Sequence, residues 1–176
     1  MDVTEKTWEQ EVIRRSEEQP VLVDFWADWC QPCKTLTPVL EEAVKERPVA
    51  LVKVDVEANK ALAREYDVSG IPAVKGFKNG RVVAEFVGAK SRTAVDAFLD
   101  ELTKPPVVDS LGGDDEIVNA LRQRDYERAF EILLSRAADP GQRDEARTLM
   151  VQLFNELGQD DPLSIAYRKR LAALIY

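Results

Sequence analysis

Two cysteines stand in this chain, and they stand together: Trp29-Cys30-Gln31-Pro32-Cys33-Lys34. They follow an apolar run, Val21-Leu22-Val23-Asp24-Phe25-Trp26-Ala27, that reads as a buried strand. A Cys-x-x-Cys at the end of a strand and the start of a helix is a redox pattern. The positive end of the helix dipole favours a thiolate at Cys30, and the thiolate is the form that attacks a disulfide. Cys33, the second cysteine of the motif, is placed to resolve the mixed disulfide that results. The expected redox group is therefore the Cys30–Cys33 disulfide itself, with no added cofactor. Two other readings compete. A closed structural zinc site takes about four nitrogen or sulfur ligands, and this chain has two cysteines and no histidine. An inert structural disulfide belongs to oxidising compartments. The opening residues Met1-Asp2-Val3-Thr4-Glu5 lack the basic and apolar regions of a secretory signal, so the expectation is a cytoplasmic protein, where such a bond is disfavoured.

Asp24 is the second chemical feature. A carboxylate inside an apolar strand costs free energy unless it is paired. Burial without a partner would raise its carboxyl pKa. The alternative is an aspartate at the strand edge, facing water.

The elements that must position these groups follow from pattern. Thr7-x-x-Gln10 is a candidate capping box for a helix over about 8–18. Residues 21–27 form a strand, and a helix runs from Cys33 to about Arg47 with Leu36, Val39, Leu40, Ala43 and Val44 on one face. Pro38 should kink that helix or open its second segment. Val49–Asp55 is a second buried strand and Ala58–Tyr66 a helix. Ala73–Lys78 and Val82–Val87 flank Asn79-Gly80, a strong hairpin signal. Ser91–Leu102 closes the domain as a helix. This order implies a parallel unit joined to an antiparallel hairpin in one sheet, with helices on both faces.

Beyond Leu102 the composition changes. All three tryptophans lie in the first half, and the part after residue 104 has eight arginines and one lysine, Lys169. The seam, Lys104-Pro105-Pro106 to Leu111-Gly112-Gly113, is a linker by composition. The rest reads helical. Asp114-Asp115 starts a segment with Ile117, Val118, Ala120 and Leu121 apolar. Asp125 caps a second, which Pro140-Gly141 breaks. Arg143–Leu157 is a third, with Gly158 past its end. Asp161-Pro162 opens a fourth that runs through Tyr167, Leu171 and Leu174 to the last residue. Two helical hairpins of this length make a minimal helical-repeat unit, which must bury its apolar faces against itself, the first domain or a partner. The expected domains are 1–104, a linker at 105–113, and 114–176.

Charge narrows the partners. Lys and Arg number 15 against 19 Asp and Glu before residue 105, and 9 against 13 after it, so acidity is spread over both parts. No basic patch offers itself to nucleic acid. No apolar run approaches the roughly 20 residues of a membrane span.

The first 104 residues resemble the thioredoxin family. The match is dense: Val23-Asp24-Phe25-Trp26-Ala27 before the cysteines, Trp29-Cys30-Gln31-Pro32-Cys33-Lys34, Val54-Asp55-Val56, Gly70-Ile71-Pro72, Phe77-Lys78-Asn79-Gly80 and Val87-Gly88-Ala89. The resemblance implies an α/β thioredoxin fold, a central mixed sheet flanked by helices, joined here to a small all-α domain of tetratricopeptide-like helical hairpins. It implies that Asp24 lies beneath the cysteines and assists proton transfer from Cys33, and that Lys53 approaches Asp24. It also implies a cis bond at Ile71-Pro72. Trp29, Ile71, Pro72, Gly88 and Ala89 would form an apolar rim where an extended protein segment docks, with Gln31 and Pro32 between the sulfurs.

The helical part resembles the C-terminal part of the chaperedoxins, a family of cytoplasmic thioredoxin-plus-tetratricopeptide proteins. The residues behind this match are Asp125-Tyr126-Glu127-Arg128-Ala129, Arg143-Asp144-Glu145-Ala146-Arg147 and the ending from Tyr167 to Tyr176, together with Gln31. This chain has one helical stretch fewer than is usual there, and it keeps both cysteines. The resemblance implies a redox-active co-chaperone that binds clients, reduces or protects their cysteines and passes them to a GroEL-type chaperonin through Leu171, Leu174, Ile175 and Tyr176. The other readings are a protein-disulfide reductase recycled by thioredoxin reductase, with the helical part as scaffold, and a holdase with vestigial cysteines. Retention of Cys30, Cys33 and Asp24 weighs against the last.

Overall fold

The computed structural model describes residues 1–111, 115–158 and 160–175, with the side chain of Ile175 left out. The chain divides into two compact units, Met1–Lys104 and Pro105–Tyr176.

The first unit opens with a π-helical turn, Glu9–Arg14, that continues into α1, Arg15–Glu18. The expected capping box does not form. The Thr7 hydroxyl turns back on Thr4, accepting its N–H at 3.1 Å, and no side chain caps the helix start. The remaining elements are β1 (Val21–Trp26), α2 (Gln31–Val44), β2 (Ala50–Asp55), α3 (Lys60–Glu65), β3 (Ala73–Lys78), β4 (Arg81–Val87) and α4 (Arg92–Leu102). The strands make one sheet in the order β2-β1-β3-β4. β1 and β2 are parallel, and both other pairings are antiparallel. Asn79 (φ 52°) and Gly80 (φ 78°) both occupy the left-handed region that a two-residue hairpin turn requires, which is why that dipeptide marks the β3–β4 connection.

Alternation along β1 divides the core into two layers. Val21, Val23 and Phe25 face Trp8, Val12, Leu62 and Phe77. Leu22 faces Leu36, Leu40, Val95 and Leu99 of α2 and α4. Asp24, two residues beyond Leu22, therefore points to the α2 side. α2 continues as one helix through Pro38, which is exposed, and it begins at Gln31, two residues earlier than the pattern suggests. β2 would be an open edge, but the first residues cover it: Lys53 N–H donates to Met1 O and Val3 N–H to Lys53 O, each at 2.8 Å.

The second unit contains α5 (Val107–Ser110), α6 (Glu116–Arg122), α7 (Tyr126–Ala138), α8 (Arg143–Leu157) and α9 (Pro162–Ile175). Composition marks 105–113 as a linker, yet its middle forms α5. Val107 is buried in the helical core, and its N–H donates to Glu156 Oε2 at 2.6 Å. Gly112, Gly113 and Asp114, part of the expected seam and first helix start, lie outside the described residues. Asp115 caps α6, Asp125 caps α7, and Asp161 Oδ1 accepts from Leu163 and Ser164 N–H at the start of α9. The apolar stripes of α6, α7 and α8 converge on one core, where the ring of Phe130 stacks with Phe154 and Tyr167 at 5.2 and 4.8 Å.

Candidate active site

The site forms where β1 ends and α2 begins. Cys30 is the N-cap of α2, with extended backbone (φ −82°, ψ 98°), and its Sγ accepts the Cys33 N–H at 3.2 Å. An N-cap is where unsatisfied N–H donors and the helix dipole converge, so this sulfur sits in the local field that favours a thiolate. Cys30 and Cys33 form a disulfide with Cα atoms 5.3 Å apart. Both are buried and pack against Ala27, with half-buried Trp26, Val56 and Ile71 around them.

Asp24 is fully buried on the α2 side of β1. Its Oδ2 accepts the Thr37 hydroxyl at 2.8 Å, and its Oδ1 has no hydrogen-bond partner among the described residues. Burial pushes its carboxyl up to about 6, while the Thr37 hydroxyl and the Lys53 ammonium hold it back and the Glu41 carboxylate adds a small upward push. Lys53 is level with Asp24 across the β1–β2 pair. Its ammonium does not close an ion pair on Asp24; it pairs with Glu41 of α2 at 3.6 Å. The strand pattern marked Asp24 and the family resemblance Lys53, but neither marked Thr37 or Glu41. The available signal was spacing: Thr37 and Glu41 follow Cys33 at intervals of four, which places all three along one side of α2.

The rim residues fall at one end of the sheet. Trp29 is exposed (68%), and its indole N–H donates to Glu57 Oε1 at 3.3 Å. Gln31 and Pro32 are exposed on the first turn of α2. The Ile71–Pro72 bond is cis. Ile71 is half-buried beside the cysteines, and Pro72 is buried. Gly88 (φ 87°) donates its N–H to Pro72 O at 2.8 Å, which ties the 87–89 turn to the cis-proline loop, and Ala89 next to it is exposed. Val87, exposed at 59%, adds an apolar side chain next to Gly88 and was not among the rim residues that the resemblance implied.

The C-terminal group separates. Leu171 is buried at 6% exposure in the helical core, so it is a structural residue and not the free surface ligand expected. Leu174 is exposed at 41%. The Ile175 side chain and Tyr176 lie outside the described residues. What holds α9 is polar as well as apolar: Tyr167 donates its hydroxyl to Glu131 Oε1 at 2.6 Å, and Arg170 pairs with the same carboxylate. Glu131 is thereby held down to about 2, chiefly by the Arg170 hydrogen bond. Among the described residues no cluster of side chains is arranged to hold a metal ion, and no helix is long and apolar enough to cross a membrane.

A mixed sheet with a Cys-x-x-Cys disulfide at a helix N-terminus, a buried carboxylate on the same side of the sheet and a cis-proline loop define a dithiol oxidoreductase of the thioredoxin fold. Comparison with known proteins agrees. Residues 1–101 match the thioredoxin family model, and residues 118–176 match a tetratricopeptide repeat model. The chain is 45% identical over 103 residues to thioredoxin C-2 of Corynebacterium nephridii, covering 57% of this chain and 94% of that one. It is 42% identical over 97 residues to the bifunctional thioredoxin reductase/thioredoxin of Mycobacterium leprae, covering 54% of this chain and 21% of that protein. Among solved structures, a single-residue mutant of a thioredoxin from Halobacterium salinarum aligns with a TM-score of 0.55 at 36% identity, over 60% of this chain and 91% of that one. The chain belongs to the thioredoxin family and is a protein-disulfide reductase whose redox group is the Cys30–Cys33 pair, with a tetratricopeptide-like helical unit following it.

Proposed function

We propose that this protein is a redox-active co-chaperone, in which the thioredoxin unit reduces or protects client cysteines and the helical unit holds the client or hands it to a chaperonin. The observation that carries the proposal is the pairing, on one chain, of a complete dithiol site with a tetratricopeptide-like unit. A reductase alone has no need of the second.

In the reductive direction, the Cys30 thiolate attacks one sulfur of a client disulfide. That bond breaks, one client sulfur leaves as a thiolate, and Cys30 is joined to the other. Asp24 takes the proton of the Cys33 thiol, and the Cys33 thiolate attacks Cys30 Sγ. The second client sulfur leaves, and the Cys30–Cys33 disulfide closes with two electrons passed to the client. A thioredoxin reductase restores the dithiol. The helix start at Cys30 and the raised Asp24 carboxyl support these roles. Trp29, Gln31, Pro32, Ile71, Pro72, Gly88 and Ala89 supply the docking rim, and Lys53 acts on Asp24 through its charge. Leu174 is the exposed apolar contact available near the end of α9 for a GroEL-type chaperonin, and the cytoplasm is the compartment this role requires.

The test is suppression of thermal aggregation of a cysteine-containing client by the full chain and by residues 1–104 alone, with insulin reduction measured on both. Loss of suppression with retained reduction is the expected result. Equal suppression by both would leave the helical unit as a scaffold on an ordinary reductase.

A further inference from the structure

We propose that Thr37 is a positioning residue for the buried acid–base group: its hydroxyl holds one oxygen of Asp24, keeps the carboxylate form available beneath the cysteines, and leaves the other oxygen free to take the proton. The inference rests on the reading of Asp24 as the base for Cys33.

The geometry is specific. Thr37 lies one helical turn beyond Cys33 on α2, so the two side chains lie over the same stretch of β1. Its Oγ1 donates to Asp24 Oδ2 at 2.8 Å, a normal length for a hydroxyl donor. A hydrogen bond of this kind favours the ionised carboxyl. Oδ1, fully buried and without a hydrogen-bond partner among the described residues, is then the oxygen left to exchange a proton.

The charged groups that act on Asp24 are Lys53 and Glu41. From β2, Lys53 is level with it, but its ammonium is drawn to Glu41 at 3.6 Å. From α2, Glu41 acts against ionisation. From β3 the residue opposite is Val74. Lys75, level with Val23, projects to the other face, where it pairs with Glu85. α4 meets this layer with Val95 and Leu99. Thr37 is thus the direct hydrogen-bond donor to a carboxylate whose opposite-charge neighbour is engaged elsewhere.

The experiment measures reduction of a protein disulfide by the full chain, with a small dithiol as electron donor, from about pH 5 to about pH 9. The parent, Thr37→Val, Thr37→Ser and Asp24→Asn are compared, and the NMR shift of the Asp24 carboxyl carbon is titrated in the first three. In Thr37→Val the acid limb of the profile and the Asp24 titration should both move alkaline, by about half a unit to one unit, the size of one net hydrogen bond. Thr37→Ser should restore both. A Thr37→Val profile that superposes on the parent, or that falls equally at every pH, overturns the proposal, because a packing role lowers activity without moving the midpoint. If Asp24→Asn keeps the parental acid limb, the base reading fails separately, and the carboxyl titration still decides whether Thr37 governs Asp24. Should Thr37→Val fold poorly, Thr37→Ala carries the same comparison.

Discussion

Thr37 donates its hydroxyl to Asp24 Oδ2 at 2.8 Å, four residues along α2 from Cys33. That bond links the redox helix to a fully buried carboxyl on the central strand. On the proposed reading of Asp24 as the base for Cys33, sulfur and proton are held by one turn of one helix against one strand. Lys53, level with Asp24 across the sheet, contributes its charge while its ammonium pairs with Glu41.

The raised Asp24 carboxyl gives a pH signature in stability. A group whose folded-state pKa lies above its unfolded value binds more protons when folded, so stability falls as pH rises between the two values. For Asp24 that window runs from 3.8 to about 6. The loss across it is on the order of 3 kcal/mol. Asp24→Asn should be more stable than the parent at neutral pH and lose that advantage toward pH 3.8, the unfolded value. It should also turn over more slowly. Urea unfolding at both pH values, with an insulin assay, checks this; equal midpoints throughout would place the Asp24 charge in solvent.

The cysteines should separate by role. Cys30→Ser should abolish disulfide reduction, because the N-cap sulfur is lost. Cys33→Ser should trap clients as mixed disulfides on Cys30, visible as reductant-sensitive adducts on non-reducing gels. Absence of adducts would reassign the nucleophile.

Gly76 of β3 tests the sheet–helix packing that carries the site. A Cβ there would stand 2.8 Å from Leu102 Cδ1 and 3.1 Å from Cδ2, with Leu102 itself buried at the end of α4. Gly76→Ala should cost about 1–3 kcal/mol, the usual penalty of overpacking. Leu102→Ala combined with it should return part of that loss. A melting series on the two single variants and the pair measures the coupling.

Leu171 and Leu174 lie one turn apart on α9 and should behave differently. Leu171→Ala empties a core position and should destabilise the helical unit by about 2–5 kcal/mol. Leu174→Asp changes an exposed side chain. It should leave the melt within about 0.5 kcal/mol of the parent. If the chaperonin docks at this end, the same substitution should remove association in a pull-down. Retained association would exclude Leu174 as the contact.

Sequence alone determined what depends on local pattern. The Cys-x-x-Cys after a buried strand, the Asn79-Gly80 hairpin, the caps at Asp125 and Asp161 and the stripe along Arg143–Leu157 are encoded in neighbours a few residues apart, and each stands where spacing placed it. Asp24 was legible because a charge within an apolar strand is costly and needs a reason. Tertiary structure decided the rest, because long-range pairing chooses among options that local chemistry leaves equal. Thr7 can cap or turn back on Thr4. Lys53 can reach Asp24 or Glu41, and the packing of α2 over β1 and β2 brings Glu41 to it. Thr37 has an ordinary helix-surface spacing until that same packing sets it over Asp24. Val107 reads as linker until Glu156 and the helical core receive it. Leu171 and Leu174 are the same residue type on one helix, and only the position of α7 and α8 makes one of them core and leaves the other in solvent.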